Sequence, residues 1–264
     1  QSLAEATWGL IGDWDVSDVT NMSQGFSTIR SGGSAVNTFN EDISAWDTSS
    51  VTNMSVMFYN SSSFNQPLNW DTSSVTTMTS MFRQAYSFNQ PLNWDTSSVT
   101  TMGSMFHTAT SFNSALNFSD TSGVTSMTYM FYKASAFNST LNFSDTSSVT
   151  TMQQMFYQAT SFNQPLTFDT SSVINMSNMF YKAYAFNQPL NFDTSIVTSM
   201  KQMFESATSF NQPLNFDTSS VTSMIAMFLQ ATSFNQPLSW DVSSVTTMQN
   251  MFANVNFSTT NYDL

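Results

Sequence analysis

A sixteen-residue stretch, SFNQPLNWDTSSVTTM, occurs without change at residues 63–78 and 87–102, and near-copies of it follow along the chain. Alignment on the recurring Trp/Phe–Asp step gives ten copies, most of them 24 residues apart and some 25, whereas the first interval, Asp15 to Asp47, is longer. A fixed period of about 20–50 residues is typical of solenoids, propellers and other repeat arrays. A propeller blade needs about 40–45 residues, so the shorter period favours a solenoid.

Residues 64–87 illustrate one repeat. Leu68 and Trp70 alternate around Asn69, which is the pattern of a short β-strand. A second group of apolar residues has spacings of 3, 3, 1 and 3, which predicts a helical or 3₁₀ face. These residues are Val75, Met78, Met81, Phe82 and Ala85. A second short strand at the VTTM segment is the alternative for this part of the repeat.

One repeat cannot bury its own apolar face, but stacked repeats can. We therefore expect an α/β solenoid of about ten coils of 24–25 residues, in which short parallel strands alternate with short helical or 3₁₀ turns. The expected boundaries are an N-terminal cap at 1–13, one solenoid at 14–256, and a further coil or tail beginning at 257–264. Because terminal coils expose core, we expect further sequence or a neighbouring subunit to cover the C-terminal coil.

The unit FNxxLxxWDTSSVTxMxxMFxxA resembles the repeat of BspA-like surface proteins, a divergent leucine-rich-repeat group. The segment LIGDWDVSDVTNM resembles the entry segment of such proteins, and the likeness covers about residues 12–252. The resemblance implies a curved stack of parallel strands and an extracellular or cell-surface protein linked to adhesion. It implies no catalytic residues.

Composition excludes several classes of function. The chain has a formal net charge of −12 and five basic residues, whereas nucleic-acid binding needs clustered Lys and Arg. It has no cysteine, and hence no disulfide and no thiolate metal site. It has no apolar run long enough to cross a membrane. We predict no nucleic-acid partner, no transmembrane segment and no cofactor.

An aspartate follows the Trp/Phe step in every repeat, and this column holds ten of the seventeen acidic residues. Its members are Asp15, Asp47, Asp71, Asp95, Asp120, Asp145, Asp169, Asp193, Asp217 and Asp241. In stacked coils the carboxylates lie close together, so each must be solvated, bonded to N–H donors or bridged by a cation. An Asx-type turn is the favoured interpretation, and calcium between coils is the alternative. No metal site is predicted.

Catalysis is not predicted. Closely spaced carboxylates are a feature of retaining glycosidases, but catalysis needs two carboxyls in unlike environments, and ten equivalent copies do not provide them. His107 is the single histidine and has no partner at motif spacing.

An asparagine follows the first Phe of most repeats and is expected to form an internal hydrogen-bonded ladder between coils. This column comprises Asn40, Asn65, Asn89, Asn113, Asn138, Asn163, Asn187, Asn211 and Asn235.

The two residues after each Met-Phe pair vary, and several tyrosines and basic residues lie there or nearby. This variable side is the predicted interaction surface, because tyrosine is flat, rigid and amphipathic. Its members are Tyr59, Arg83, Tyr86, His107, Tyr129, Tyr132, Tyr157, Tyr181 and Tyr184. Asn60, in the sequon NSS at the same side, is the best placed glycosylation site.

Three functions remain open. We favour a non-enzymatic extracellular repeat protein for adhesion or protein–protein assembly, whose partners are other surface proteins or copies of itself. The first alternative is a glycan-binding module that uses the tyrosine side or the amide ladder. The second is an ice-binding solenoid, suggested by a threonine column that Ile174 interrupts. This column comprises Thr20, Thr52, Thr76, Thr100, Thr125, Thr150, Thr198, Thr222 and Thr246, and we place it on the helical segment.

Overall fold

The computed structural model describes residues 9–30 and 37–258. Within these ranges the regular elements are a 3₁₀-helix at Ile11–Asp13 and two strands, β1 at Leu92–Trp94 and β2 at Leu116–Phe118. The strands pair in parallel, with Leu92 opposite Leu116. The helix is a single turn, and no helix in the described part of the chain is long and apolar enough to cross a lipid bilayer.

Single parallel bridges at a second repeat position join neighbouring repeats along the array, and Leu116 of β2 also bridges Leu141. Thr77, for example, bridges Asn53 in the preceding repeat and Thr101 in the following repeat. The same bridge recurs from Asn21 to Thr247. Successive repeats therefore lie side by side in register, and the predicted repeat organisation is confirmed.

The helical or 3₁₀ face predicted for Val75–Ala85 is wrong, because this segment is a chain of β-turns. Met81 N–H donates to Met78 O at 3.2 Å, and Ala85 N–H donates to Phe82 O at 3.1 Å. The third residue of each turn has positive φ, 56° at Ser80 and 60° at Gln84, which defines type II turns. The alternative short strand at VTTM is closer to the structure, since Thr77 bridges both neighbours.

Backbone hydrogen bonding explains why this segment does not form a helix. Met81, Arg83 and Ala85 donate within their own repeat, to the residue three positions before. The intervening N–H groups donate to carbonyls of the following repeat at 2.8–3.2 Å; they belong to Met78, Ser80, Phe82 and Gln84. Half of the donors are thus used between repeats and are unavailable for the i→i−4 bonds of an α-helix. Every buried N–H of the segment is nevertheless paired, as burial requires.

The predicted apolar columns form one continuous core, in which Phe64, Val75, Met78, Met81 and Phe82 have no exposed surface. Two phenylalanine columns run through it in parallel. Phe82 and Phe106 in adjacent repeats have ring centroids 5.6 Å apart, and Phe82 and Phe88 in the same repeat are 4.0 Å apart. Such offset stacks add to the burial of large apolar surface.

The ends of the repeat array differ from its middle. In the predicted cap, Ile11 packs against the core whereas Leu10 is 55% exposed, and Leu3 and Trp8 lie outside the described residues. In the last repeat, Met248 is 45% exposed. Phe257 contacts Phe234 edge-on, with centroids 6.1 Å apart, and residues 259–264 lie outside the described part.

Candidate functional site

The aspartate column forms a repeated Asx turn. Asp71 Oδ1 accepts hydrogen bonds from the backbone N–H of Ser73 at 3.0 Å and from its hydroxyl at 2.7 Å. In each of the remaining nine aspartates of the column, Oδ1 accepts the same hydrogen bond from the backbone N–H of the residue two positions later. These bonds hold the pKa of Asp47 and Asp217 below the ordinary value, since the serine donors favour the charged form.

No metal site is evident along this column. In residues 9–30 and 37–258, no three His, Cys, Asp or Glu side chains converge closely enough to hold an ion. The neighbouring Asp95 carboxylate raises the pKa of Asp120 only weakly, and the bonds from Ser122 outweigh it and lower that pKa. The carboxylates are thus separately solvated and bonded.

The asparagine column links each repeat to the next. Asn89 N–H donates to Asn65 Oδ1 at 2.8 Å, and Gln90 Nε2 donates to Asn65 O at 3.0 Å. The same backbone-to-amide bond recurs through the column as far as Asn235 Oδ1, which accepts from Ser258 N–H. The asparagine side chains of this column are therefore engaged in hydrogen bonds between repeats.

A buried threonine column was not predicted. Thr72 is 1% exposed, and its hydroxyl donates to Asp95 O of the following repeat at 2.7 Å. The same bond recurs at Thr48, Thr146, Thr170, Thr194 and Thr218. A sequence signal existed, because the residue after the column aspartate is Thr in every repeat except the first and last, which have Val16 and Val242.

Most members of the predicted interaction surface form one stack of flat groups. The ring centroids of His107 and Tyr132 are 4.4 Å apart, those of Tyr132 and Tyr157 are 4.6 Å apart, and those of Tyr157 and Tyr181 are 4.4 Å apart. Arg83 extends the stack, with its guanidinium carbon 5.8 Å from the Tyr59 ring. We call these six residues, one per repeat, the aromatic column.

Basic groups lie against the aromatic column. The Lys133 ammonium is 5.3 Å from the centre of the Tyr132 ring, and the Lys182 ammonium is 5.2 Å from that of Tyr181, both within cation–π range. Arg83 Nε is buried and has no hydrogen-bond partner among the described residues. The column therefore combines stacked rings with cations that the protein leaves largely uncompensated.

Two residues of the aromatic column have shifted pKa values, and both shifts favour the uncharged side chain. Burial, with the nearby Arg83 and Lys133 charges, lowers the pKa of His107 to about 4. Burial raises the pKa of Tyr157 to about 12, and the adjacent Tyr181 and Tyr132 add to the shift. At neutral pH His107 is uncharged and Tyr157 keeps its hydroxyl proton.

The remaining predicted residues lie beside the column. Tyr129 contacts Tyr132 edge-on, with centroids 5.8 Å apart. Tyr86 and Tyr184 are exposed and lie outside the stack. Asn60 has a φ of 57°, and its side-chain nitrogen donates to Thr28 Oγ1 at 3.2 Å, so the amide of this sequon already has a partner.

A groove of about 530 Å³ runs beside the aromatic column. Its lining includes Tyr132, Tyr157 and Tyr181, which we call the tyrosine wall, and also Gln154, Asn178 and Gln202 from three successive repeats. We call this feature the amide groove. Sequence analysis missed it because its walls come from two different repeat positions, whose proximity depends on how the turns fold.

Within the amide groove, the side chain of Asn178 is distinctive. The residue is 9% exposed, and no described residue donates to or accepts from its side-chain amide. The neighbouring Gln202 differs, since its Nε2 donates to the buried Glu205 carboxylate at 2.7 Å. Lys201 lies at the same groove and is exposed.

The other threonine column, the one considered above for ice binding, is exposed. It does not lie on a helix, contrary to our prediction. Thr76 lies beside the bridge residue Thr77, and its hydroxyl donates to Thr52 O of the preceding repeat at 3.1 Å. Ile174 interrupts the column and is 48% exposed.

The register of the repeats, their shared core and their recurring side-chain ladders define a repeat protein. The chain belongs to the family described as Mycoplasma protein of unknown function, DUF285, whose pattern matches residues 3–117, 68–168, 92–191 and 166–263. Two of these matches begin at residues 68 and 92, which are 24 residues or one repeat apart, as expected when the same family pattern fits the array in two registers. No curated protein matches the chain.

Proposed function

We propose that the chain is a non-enzymatic repeat protein of the extracellular space or cell surface, where it mediates adhesion or assembly with surface proteins or with copies of itself. The observation that carries this proposal is the aromatic column. It lies on the side where otherwise similar repeats differ, and stacked tyrosines with adjacent cations are well suited to macromolecular contact.

The distribution of charge supports the same function. The whole chain has a formal net charge of −12 and only five basic residues. Four of these five, Arg83, Lys133, Lys182 and Lys201, lie in or beside the aromatic column and the amide groove. This side therefore presents positive groups on an otherwise acidic molecule, which favours one orientation of a partner.

The repeat sequence supports a surface location and a related architecture. Its resemblance to BspA-like surface repeats favours an extracellular adhesion protein. We include in the proposal a leucine-rich-repeat-like stack of about ten coils, in which chains of β-turns replace the helical segments. The regular bonds between neighbouring repeats are consistent with such a stack.

The geometry offers little for catalysis. Each column aspartate has the same Asx turn, so no pair has the unlike environments that acid–base chemistry needs. His107 lies within a stack between Arg83 and Tyr132 and contacts no carboxylate among the described residues. Both features support a binding role.

Bead attachment tests the proposal. Beads coated with the chain are applied to cell monolayers, and clustering between beads measures self-association. Monolayers treated with protease, or with periodate to oxidise glycans, distinguish the two kinds of surface partner. We expect attachment or clustering for the wild-type chain, and at least a tenfold reduction after Tyr132→Ser, Tyr157→Ser and Tyr181→Ser are combined.

Two further variants make this test specific. Lys133→Gln with Lys182→Gln removes the cations without opening the stack, and should also reduce attachment. Asn142→Ser, Asn191→Ser and Asn215→Ser change three exposed residues at the repeat position of Asn69, between the two apolar strand residues, and should leave attachment unchanged. Absence of both attachment and clustering for the wild-type chain would contradict the proposal, as would equal loss in the strand-side control.

Ice binding is a second candidate because the threonine column is exposed beside a regular bridge. However, every hydroxyl of this column after Thr20 donates to a backbone carbonyl of the preceding repeat, as at Thr76, Thr100 and Thr222. These hydroxyl protons are therefore unavailable for hydrogen bonds to water molecules at an ice surface. Thermal hysteresis measurement decides the matter, and we expect none.

A further inference from the structure

We propose that the amide groove binds a short segment of an acidic glycan, a sugar chain that carries carboxylate groups. This inference rests on the proposed binding function and names the ligand class for one part of the surface. The groove volume, about 530 Å³, is within the usual range for small-molecule sites of about 300–1,000 Å³. It therefore has room for a few sugar rings.

The groups that line the groove match sugar hydroxyls. Gln154, Asn178 and Gln202 present amides from three successive repeats. An amide offers both donors and acceptors, as a hydroxyl does, so neighbouring amides can bond to hydroxyls in either orientation. The tyrosine wall adds phenolic hydroxyls, and burial raises the pKa of Tyr157 to about 12, still further above neutral pH than its ordinary value.

Asn178 points to a ligand more directly than the general composition does. Its side-chain amide has no hydrogen-bond partner among the described residues, and it is not one of the buried polar atoms that lack a partner, so it stays open to solvent at the groove. An amide that no protein group engages is available to bond a molecule in the groove. A ligand hydroxyl would bond to this amide in place of solvent.

Lysine charge makes the expected glycan acidic. Lys201 is exposed at the groove, and its ammonium forms no ion pair with any described residue. Lys133 and Lys182 lie on their tyrosine rings near the same wall. The nearby Glu205 carboxylate is buried and accepts from Gln202. The groove thus presents cations and no exposed carboxylate, which favours a carboxylated ligand.

A peptide fits the groove less well. Strand addition requires free backbone groups, but Gln154 N–H donates to Ser177 O and Asn178 N–H donates to Lys201 O. Peptide anchors also need an apolar pocket. The tyrosine faces are covered by one another at 4.4–4.6 Å, so that their edges and hydroxyls form the wall.

Calorimetry with defined oligosaccharides tests this inference. The probes are tetragalacturonate, its carboxyl-reduced neutral form and a Glu-rich peptide of equal charge. The decisive variant is Asn178→Gly, which removes the amide but suits the φ of 59° at this position. Its matched control is Asn250→Gly, at the same repeat position in the last repeat and with a φ of 57°. Lys201→Gln tests the charge, with Arg30→Gln as its control.

We expect tetragalacturonate to bind the wild-type chain at least tenfold more tightly than the neutral form. Asn178→Gly should weaken both interactions at least tenfold, whereas Lys201→Gln should remove mainly the preference for the acidic form. The two controls should match the wild type. A wild-type chain that binds neither sugar, a preference for the peptide, or binding unaffected by Asn178→Gly would overturn the inference. If beads coated with Asn178→Gly still attach, the adhesion proposal stands. The calorimetry with oligosaccharides then tests glycan binding in the amide groove separately.

Discussion

Phe156 shows at the residue scale how one side chain supports several repeats. It is fully buried, and its ring lies 5.6 Å from Phe131 on one side and 5.6 Å from Phe180 on the other. It also stacks on Phe162 of its own repeat at 4.1 Å. Because the rings of three repeats meet at this point, neighbouring side chains cannot collapse into a gap without disturbing two columns.

We therefore predict that Phe156→Ala lowers the free energy of unfolding by about 3–5 kcal/mol, as large-to-small core changes do. Urea unfolding followed by circular dichroism measures the change. Asn215→Ala, an exposed position in another repeat, is the control and should stay within about 0.5 kcal/mol of the wild type. A loss below about 1 kcal/mol for Phe156→Ala would be inconsistent with a tightly packed column.

His107 makes stability depend on pH. Its pKa falls from an ordinary 6.5 to about 4 in the folded chain, so between these values the unfolded chain binds a proton that the folded chain does not. The stability associated with neutral His107 is complete above about pH 6.5 and is lost as pH falls towards 4. We predict that the urea midpoint of His107→Gln changes less with pH over this window than that of the wild type.

The aspartates do not obscure this measurement. The pKa values of Asp47, Asp169 and Asp217 lie below the ordinary 3.8, because serine donors favour the charged form, so the contribution of these three is present above that pH and is lost only at more acidic values. His107 is the single histidine in the chain. If the wild type and His107→Gln show the same slope between pH 6.5 and 4.5, the shift assigned to burial and to Arg83 is wrong.

At the scale of the element, the chain of type II turns depends on residues in the left-handed region. Most of these positions hold Asn, Gln, Ser or Lys, but Val56 has a φ of 53°. A β-branched side chain is strained there, at a cost of order 1–3 kcal/mol. The surrounding bonds hold it, since Val56 N–H donates to Thr79 O at 2.9 Å.

Val56→Asn should relieve this strain and raise the free energy of unfolding by about 1 kcal/mol. Ile196→Asn is the matched control, because it also replaces a β-branched residue by Asn but lies at a position without positive φ. Thermal and urea unfolding should show a gain for the first variant and little change for the second. Destabilisation by Val56→Asn would mean that side-chain packing outweighs backbone strain at this turn.

Sequence patterns predicted the core but not the turns. Phe64, Leu68 and Trp70 recur so regularly that burial follows from the period alone. The spacing of Met78, Met81 and Phe82 fits a helical face as well as nested turns. The positive φ at Ser80 cannot be read from its identity, since serine is not a residue that requires it. For the same reason the amide groove, which depends on the turns, could not be predicted.

At the scale of the whole molecule, the repeats are interchangeable where their sequences coincide. Removal of residues 71–94 joins Trp70 to Asp95 and restores the same NWDTSSVT sequence across the new junction. The shortened chain should fold, because every column keeps its register. Its denaturant m-value should fall by roughly a tenth, as one of ten repeats is lost and m scales with the surface exposed on unfolding.

Removal of residues 71–90 provides the contrast, because it takes out twenty residues and breaks the register of the phenylalanine columns. Circular dichroism and size-exclusion chromatography should show a cooperatively folded chain for the first deletion and a destabilised or aggregated chain for the second. Equal behaviour of the two deletions would show that register between repeats does not determine the fold.

The row of N–H groups that each repeat donates to the next has a mechanical consequence. If force is applied between the first and last repeats, every junction carries the same load in series, and the weakest opens first. End repeats have one neighbour, so peeling begins there and releases about 24 residues per event. At about 3.3–3.6 Å per residue, each event lengthens a tether by roughly 80 Å. Stepwise opening of this kind would let the chain lengthen under load without losing the whole fold at once.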